Sequence, residues 1–279
     1  MDAIVHRISA WDGFSLVVRE WRDGDAATPL LCLPGLVRTS GDFATLAHNL
    51  GTGRRVVAPD YPGRGDSGRA RDIARYAPEA CVRDVLDICA ALHLHQVIAI
   101  GTSFGGLLSM GLAAARPSLL RAVVLNDVGP DLGSAGTEFV RRFVGHDPAF
   151  ANLDAAIAHL RGLLPPLSLD GDEAWRAMAA LTYAPAADGR LRPLWDTRIA
   201  QLLNGATPDL WALFGGLSHL PLLLVRGEVS DILLPETVQR MRTQRPDMAI
   251  VSLPGIGHAP TLAEPEVLAA LHAFVDRVA

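Results

Sequence analysis

Ser103 stands at the centre of Gly101-Thr102-Ser103-Phe104-Gly105, between the apolar run Val97-Ile98-Ala99-Ile100 and a small-residue helix opening at Gly105-Gly106. A strand that turns at once into a helix must pinch sharply, and glycines at both ends let the backbone pass without a Cβ clash. The pinch lifts the central hydroxyl above the sheet, where neighbouring N–H groups can face a developing oxyanion. A serine hydroxyl is a weak nucleophile until a base takes its proton, and the base needs an orienting acid. Outside that context the five residues would be an ordinary small-residue turn.

Nine histidines compete for the role of base. His258 lies in Pro254-Gly255-Ile256-Gly257-His258-Ala259-Pro260, a loop between the last strand pattern and the last helix pattern, with glycines able to bring the backbone close. The other eight have structural explanations. His48, His93, His159 and His272 fall within helix patterns, His6 in the first strand, and His95, His146 and His219 near element ends. The acid must come from another strand end. Asp231, in Arg226-Gly227-Glu228-Val229-Ser230-Asp231, sits at the carboxyl edge where sites collect in open α/β sheets, and it is the preferred acid. Asp127, closing Leu125-Asn126-Asp127, is its rival, and Glu228 follows its glycine too closely to reach far. The order Ser103, Asp231, His258 matches serine hydrolases built on such a sheet.

Alternating elements must hold these residues. Two β-like runs, Ala3–Ser9 and Phe14–Trp21, flank an Asp12-Gly13 hairpin signal. Strand patterns follow at Leu30–Leu33, Arg55–Ala58, Val97–Thr102 and Arg121–Leu125, with helix patterns at Phe43–Leu50, Pro78–Leu92 and Gly105–Ala115. Such alternation predicts a mainly parallel sheet covered on both faces. From about Asp131 to Leu217 only helical periodicity is read, over Thr137–Val144, Leu153–Leu163, Asp172–Leu181, Thr197–Leu203 and Pro208–Phe214. Alternation then resumes with strands Pro221–Arg226 and Met248–Leu253 and helices Pro235–Arg242 and Ala263–Val278. The middle is therefore expected to be an insertion into one domain, residues 131–217 within 1–130 and 218–279.

Composition narrows the chemistry further. The 279 residues are 49% hydrophobic and 20% charged, which suits a globular protein with a substantial core. A net charge of −5 argues for neither nucleic acid nor a membrane surface as partner. All 25 basic residues are arginine, so no lysine is present for a Schiff base or a phosphate-binding loop. Cys32, Cys81 and Cys89 form no C-x-x-C pair, and they read as buried free thiols in a reducing compartment. With no export signal read at the amino terminus, the expected location is cytoplasmic. Gly63-Arg64-Gly65-Asp66-Ser67-Gly68 matches the dinucleotide fingerprint G-x-G-x-x-G. That fingerprint needs a helix starting within the glycines, and here the polar run Arg69-Ala70-Arg71-Asp72 follows instead. No His, Cys or Asp cluster has metal-ligand spacing, and no cofactor is expected.

The chain resembles the α/β-hydrolase superfamily over essentially its whole length, in the branch that carries a helical cap after the sixth strand. The elbow at Gly101–Gly105, the acid in Gly227–Asp231, Gly257-His258, and Asp60-Tyr61-Pro62-Gly63-Arg64-Gly65-Asp66-Ser67 carry the resemblance in the right order. It implies an eight-stranded, mainly parallel sheet flanked by helices. It also implies an oxyanion hole, with the N–H of Phe104 as one donor and that of Leu36, in Leu33-Pro34-Gly35-Leu36, as the other. Pro34 stands where the family often has histidine.

By this resemblance the activity expected is hydrolysis of small to medium carboxylic esters or lactones through an acyl-enzyme. Carbon–carbon bond hydrolases of ring-fission products and cofactor-free perhydrolases share the triad and are the alternative readings. A non-catalytic ligand-binding member of the fold is the alternative of another class. Dehalogenation and epoxide hydrolysis need an aspartate nucleophile, and this elbow carries serine. The expected partner is a small molecule with an apolar acyl or alcohol group, and self-association into a homo-oligomer is compatible with the sequence. Cap aromatics such as Trp175, Trp195 and Phe143 would pack the cap or shape an apolar pocket. A cap arginine turned inward would bind a substrate carboxylate.

Overall fold

Strands that are apolar on both faces can only sit inside a sheet covered from two sides. Leu30–Leu33 is buried at every position, and Val97–Thr102 at every position but the last. The computed structural model describes residues 2–204 and 209–278. In chain order the elements begin with β1 (Ile4–Ser9), β2 (Ser15–Arg22), β3 (Leu30–Leu33), α1 (Ala44–Leu50), β4 (Arg55–Asp60) and α2 (Pro78–Ala91). Then come β5 (Val97–Thr102), α3 (Phe104–Ala115) and β6 (Leu120–Asn126). The segment that follows holds α4 (Ser134–Val144), α5 (Leu153–Leu163), α6 (Gly171–Ala180), β7 (Tyr183–Pro185), β8 (Leu191–Pro193) and α7 (Trp211–Gly215). The chain closes with β9 (Leu222–Gly227), α8 (Pro235–Gln244), β10 (Ala249–Leu253) and α9 (Pro265–Val278).

One sheet runs in the order β1-β2-β4-β3-β5-β6-β9-β10. The β1–β2 and β2–β4 pairings are antiparallel and all the others parallel. Alternate residues of one strand feed opposite layers, as a pleated strand requires. Leu31, Leu33 and Ala99 pack with α2 and α3 on one face, and Leu30, Cys32 and Ile98 with α1 and α9 on the other. The three cysteines are buried and free within these layers. Because β4 lies on one side of β3 and β5 on the other, the chain reverses direction across the sheet at this point. The crevice outside the carboxyl ends of β3 and β5 is where such a sheet offers a site.

The segment between β6 and β9 builds its own small core from residues such as Val144, Leu160, Tyr183, Trp195 and Ile199. It differs from the all-helical expectation in two places. Tyr183–Pro185 and Leu191–Pro193 pair as an antiparallel ladder. Each strand is three residues long, too short for a period of two to show in sequence. Residues Thr197–Leu203 form a 3-10 helix rather than an α-helix. The helix expected to begin at Pro208 is seen from Trp211, and Pro208 itself lies outside the described residues.

Candidate active site

Ser103 joins β5 to α3 at φ 52°, ψ −115°, a conformation a side-chain-bearing residue adopts only when its surroundings compel it. They do so by close approach. A Cβ on Gly101 would lie 2.4 Å from the Gly105 carbonyl oxygen, and one on Gly105 would lie 2.0 Å from that of Leu33. The elbow helix is thus pressed against the end of β3, which only glycine permits. Ser103 N–H donates to the Asn126 carbonyl at 2.9 Å, locking the turn to β6.

His258 completes the arrangement from the loop after β10. Its Nε2 lies 2.8 Å from Ser103 Oγ and its Nδ1 2.8 Å from Asp127 Oδ2. A carboxylate can only accept, so Nδ1 carries the ring proton and Nε2 is left to accept from the serine hydroxyl. Asp127 is fully buried, and its other oxygen accepts the Gly227 N–H at 2.9 Å. It follows directly on β6 at φ 54°, a region that aspartate tolerates better than most residues. Beside it, the Asn126 amide donates to Thr102 Oγ1 at 3.1 Å and to the Pro260 carbonyl at 2.9 Å, fastening the histidine loop to the elbow strand.

The preferred acid therefore needs correcting: the carboxylate against the imidazole belongs to Asp127 and not to Asp231. After Gly227 the chain is drawn toward the histidine loop, with the Glu228 and Val229 N–H groups donating to Leu253 and Ile256. Ser230 Oγ then accepts the Ile232 and Leu233 N–H groups and closes a turn. This carries Asp231 to the base of α4, where its carbonyl faces Gly133 and Gly136. Its carboxylate accepts no hydrogen bond from a described residue.

Two N–H groups beside Ser103 are unclaimed. Neither Phe104, first residue of α3, nor Leu36, in the loop after β3, donates to any described residue. The first sits at the positive end of a twelve-residue helix. The second is held by its own carbonyl, which accepts from Arg64 Nε at 2.8 Å, and by Tyr61 Oη donating to Pro34 at 3.2 Å. Phe104 and Tyr61 meet edge to face at 5.6 Å.

The Asp60–Ser67 loop is structural wiring rather than a phosphate cradle. Buried Asp60 accepts from the Ser40 N–H and hydroxyl at 2.7 Å each and from the Asp66 N–H at 2.9 Å. A Cβ on Gly65 would fall 2.2 Å from the same carboxylate. No helix begins within its glycines; the next helical turn starts at Ile73.

The segment between β6 and β9 grips three loops that border the serine. Gly65 N–H donates to Leu194 and Asp196 N–H to Gly63 at the glycine loop. Arg38 donates to Thr182 beside the β3 loop, and Gly257 N–H to Pro166 beside His258. None of these clamps was read from sequence, because three are backbone hydrogen bonds that leave no residue signature and the Arg38–Thr182 pair is distant in sequence. The aromatic residues divide between two cores: Trp195 packs the segment itself and donates to the Val144 carbonyl, whereas Trp211 and Phe214 are buried in the main-sheet layer that holds α3. Its arginines are engaged at the surface. Arg141 and Arg142 pair with Glu138, Arg161 with Asp172, Arg176 with Asp154, Arg192 with Asp147 and Asp188, and Arg198 with Asp196, while Arg190 donates to Ala149.

Among the described residues no three His, Cys, Asp or Glu side chains are grouped as metal ligands, and no helix is long and apolar enough to cross a membrane. Residues 28–165 match the family described as the alpha/beta hydrolase fold. The chain is 35% identical over 267 residues to the 3-hydroxybutyrate-oligomer hydrolase of Cupriavidus necator, covering 91% of this chain and 90% of that one. It is 28% identical over 274 residues to the 2-(acetamidomethylene)succinate hydrolase of Mesorhizobium japonicum, covering 97% and 96%. An alpha/beta hydrolase from Novosphingobium aromaticivorans, solved by crystallography, matches it over the full length of both chains with TM-score 0.93 and 39% identity.

Proposed function

The chain belongs to the α/β-hydrolase family, and from that premise we propose that it is a serine hydrolase of small to medium carboxylic esters or lactones. The observation that carries this reading is the unbroken line from Ser103 Oγ through His258 to Asp127, each contact 2.8 Å. Ser103 Oγ attacks the ester carbonyl while His258 Nε2 takes its proton. Asp127 keeps Nδ1 protonated and stabilises the imidazolium that results. The carbonyl electrons move onto oxygen, where the Phe104 and Leu36 N–H groups receive them. When the intermediate collapses, His258 returns the proton to the departing alkoxide. A water then attacks the acyl-enzyme with His258 again as base, releasing acid and Ser103.

In this reading residues 1–130 and 218–279 are the catalytic core and 131–217 the cap that borders the acyl site. Likeness to a 3-hydroxybutyrate-oligomer hydrolase makes short hydroxyacid oligoesters the first natural substrate class to try. A carbon–carbon hydrolase of ring-fission products would want a cap arginine free to read a carboxylate. The seven cap arginines are held at the surface instead, which supports the ester reading.

Intact mass after incubation with a fluorophosphonate, on wild type and Ser103→Ala, tests it. One adduct on wild type and none on the variant is expected, followed by hydrolysis across a p-nitrophenyl ester series and 3-hydroxybutyrate trimer. Folded wild type that takes no adduct and turns over no ester overturns the reading in favour of a binding role.

A further inference from the structure

The glycine loop hides a cation for which the reaction scheme above has no use. Arg64 is wholly buried, yet no carboxylate of a described residue bonds to it. Its Nε donates to the Leu36 carbonyl at 2.8 Å and its Nη1 to the Pro62 carbonyl at 2.7 Å. Nη2 is buried with no partner among the described residues. The guanidinium carbon lies 5.7 Å from the ring centres of Phe104 and Tyr76 and 5.9 Å from that of Tyr61.

A buried charge with no carboxylate bonded to it is costly, and the aromatic faces, two carbonyls and the field of Asp196 behind Tyr76 offset only part of that cost. Burial lowers the Arg64 pKa from the ordinary arginine value. Guanidinium groups do not deprotonate in proteins, so the charge persists. An arginine kept for packing alone would be replaced at lower cost by an apolar side chain of similar length. This one instead touches Leu36 and Phe104, the two residues whose N–H groups are unclaimed beside Ser103.

Building on the serine-hydrolase reading, we propose that Arg64 is a positioning residue for the oxyanion hole. It fixes the Leu36 peptide by hydrogen bond and lies against the Phe104 ring, and its charge, bonded to no carboxylate of a described residue, gains a further negative partner when the tetrahedral oxyanion forms. Its contribution is therefore made in the transition state and not in the ground state.

The test compares wild type, Arg64→Met and Arg64→Lys on p-nitrophenyl butyrate, with inhibition by a short-chain trifluoromethyl ketone measured in parallel. In that adduct Ser103 Oγ bonds to the carbonyl carbon, the carbonyl electrons become the oxyanion, and the serine proton passes to His258. Arg64→Met is expected to lower kcat by about 10- to 100-fold, to leave KM within about twofold, and to weaken the ketone by the same factor as kcat. Arg64→Lys keeps the charge but loses the planar fork, and it recovers part of both losses. Unchanged kcat and ketone affinity in folded Arg64→Met, or a loss confined to KM, overturns the proposal. So does failure of both variants to fold, which would assign Arg64 to structure alone. Wild type that takes no fluorophosphonate fails the hydrolase reading itself, whereas a null result confined to the Arg64 variants fails only this inference.

Discussion

Strands β6 and β9 are neighbours in the sheet, and each is followed by an aspartate at its carboxyl end. At β6 the aspartate comes directly after Asn126, buried, with one oxygen on His258 and the other on the Gly227 N–H. At β9 three residues intervene, and a serine-capped turn sends Asp231 to the base of α4. Proximity to the nucleophile strand separates the two. β6 lies against β5, Asn126 pairs with Thr102, and the next residue faces the histidine loop. β9 is one strand further out, so a carboxylate there must reach across, and its turn leads elsewhere. A strand-end acid is recruited by where its strand lies in the sheet, and chain order alone does not decide that.

Five substitutions break or sharpen this comparison. The largest effect belongs to the nucleophile and to the base that either acid would serve. Ser103→Ala is expected to lower kcat on p-nitrophenyl butyrate by about 10⁶, and His258→Ala by a similar factor, because the members of such a unit fail together. Combining the two should add almost nothing, which steady-state kinetics on the double variant would show. Asp127→Asn comes next. It keeps the shape but can donate to Nδ1, favouring the wrong tautomer, so kcat should fall by about 10⁴. A folded Asp127→Asn enzyme with near-wild-type turnover would return the acid role to another residue.

The two aspartates also mark how far the sequence could be read. Gly101 and Gly105 are legible because each answers a local collision, with backbone 2.4 Å and 2.0 Å from where a Cβ would lie. The strands are legible because buried parallel strands are continuous apolar runs. His258 is legible from its glycine-flanked loop after the final strand, and the structure brings it to Ser103. Asp127 against Asp231 depended on which strands are neighbours and on where a serine cap turns the chain. Neither property is periodic or compositional. The β7–β8 ladder was too short to show alternation, and the partners of Arg64 come from loops distant in sequence.

A smaller effect should separate the strand end from the acid it carries. Asn126→Ala removes the amide that holds Thr102 and Pro260 while leaving Asp127 in place. Loss of two bonds from a buried amide should cost about 1–3 kcal/mol of stability by urea unfolding. The freed histidine loop should lower kcat by about tenfold, since misplacement of a catalytic group by a fraction of an ångström is enough. A stability loss with kcat intact would show that Asp127 alone fixes the imidazole.

Asp231→Asn should do the least. Its carboxylate bonds to no described residue, and what the segment contributes structurally comes from the Ser230 hydroxyl and the backbone, both of which the substitution preserves. A change of this kind on a partly exposed residue usually stays within about 0.5 kcal/mol of stability, and kcat/KM is expected to stay at the wild-type level. The pair of asparagine variants forms an internal control, since each removes one negative charge from the carboxyl end of a neighbouring strand. If long-range charge on the imidazolium were the main service of the acid, both would lower turnover, the more distant one less. If the service is a hydrogen bond to Nδ1, only Asp127→Asn falls, and the geometry at β6 commits to the second outcome.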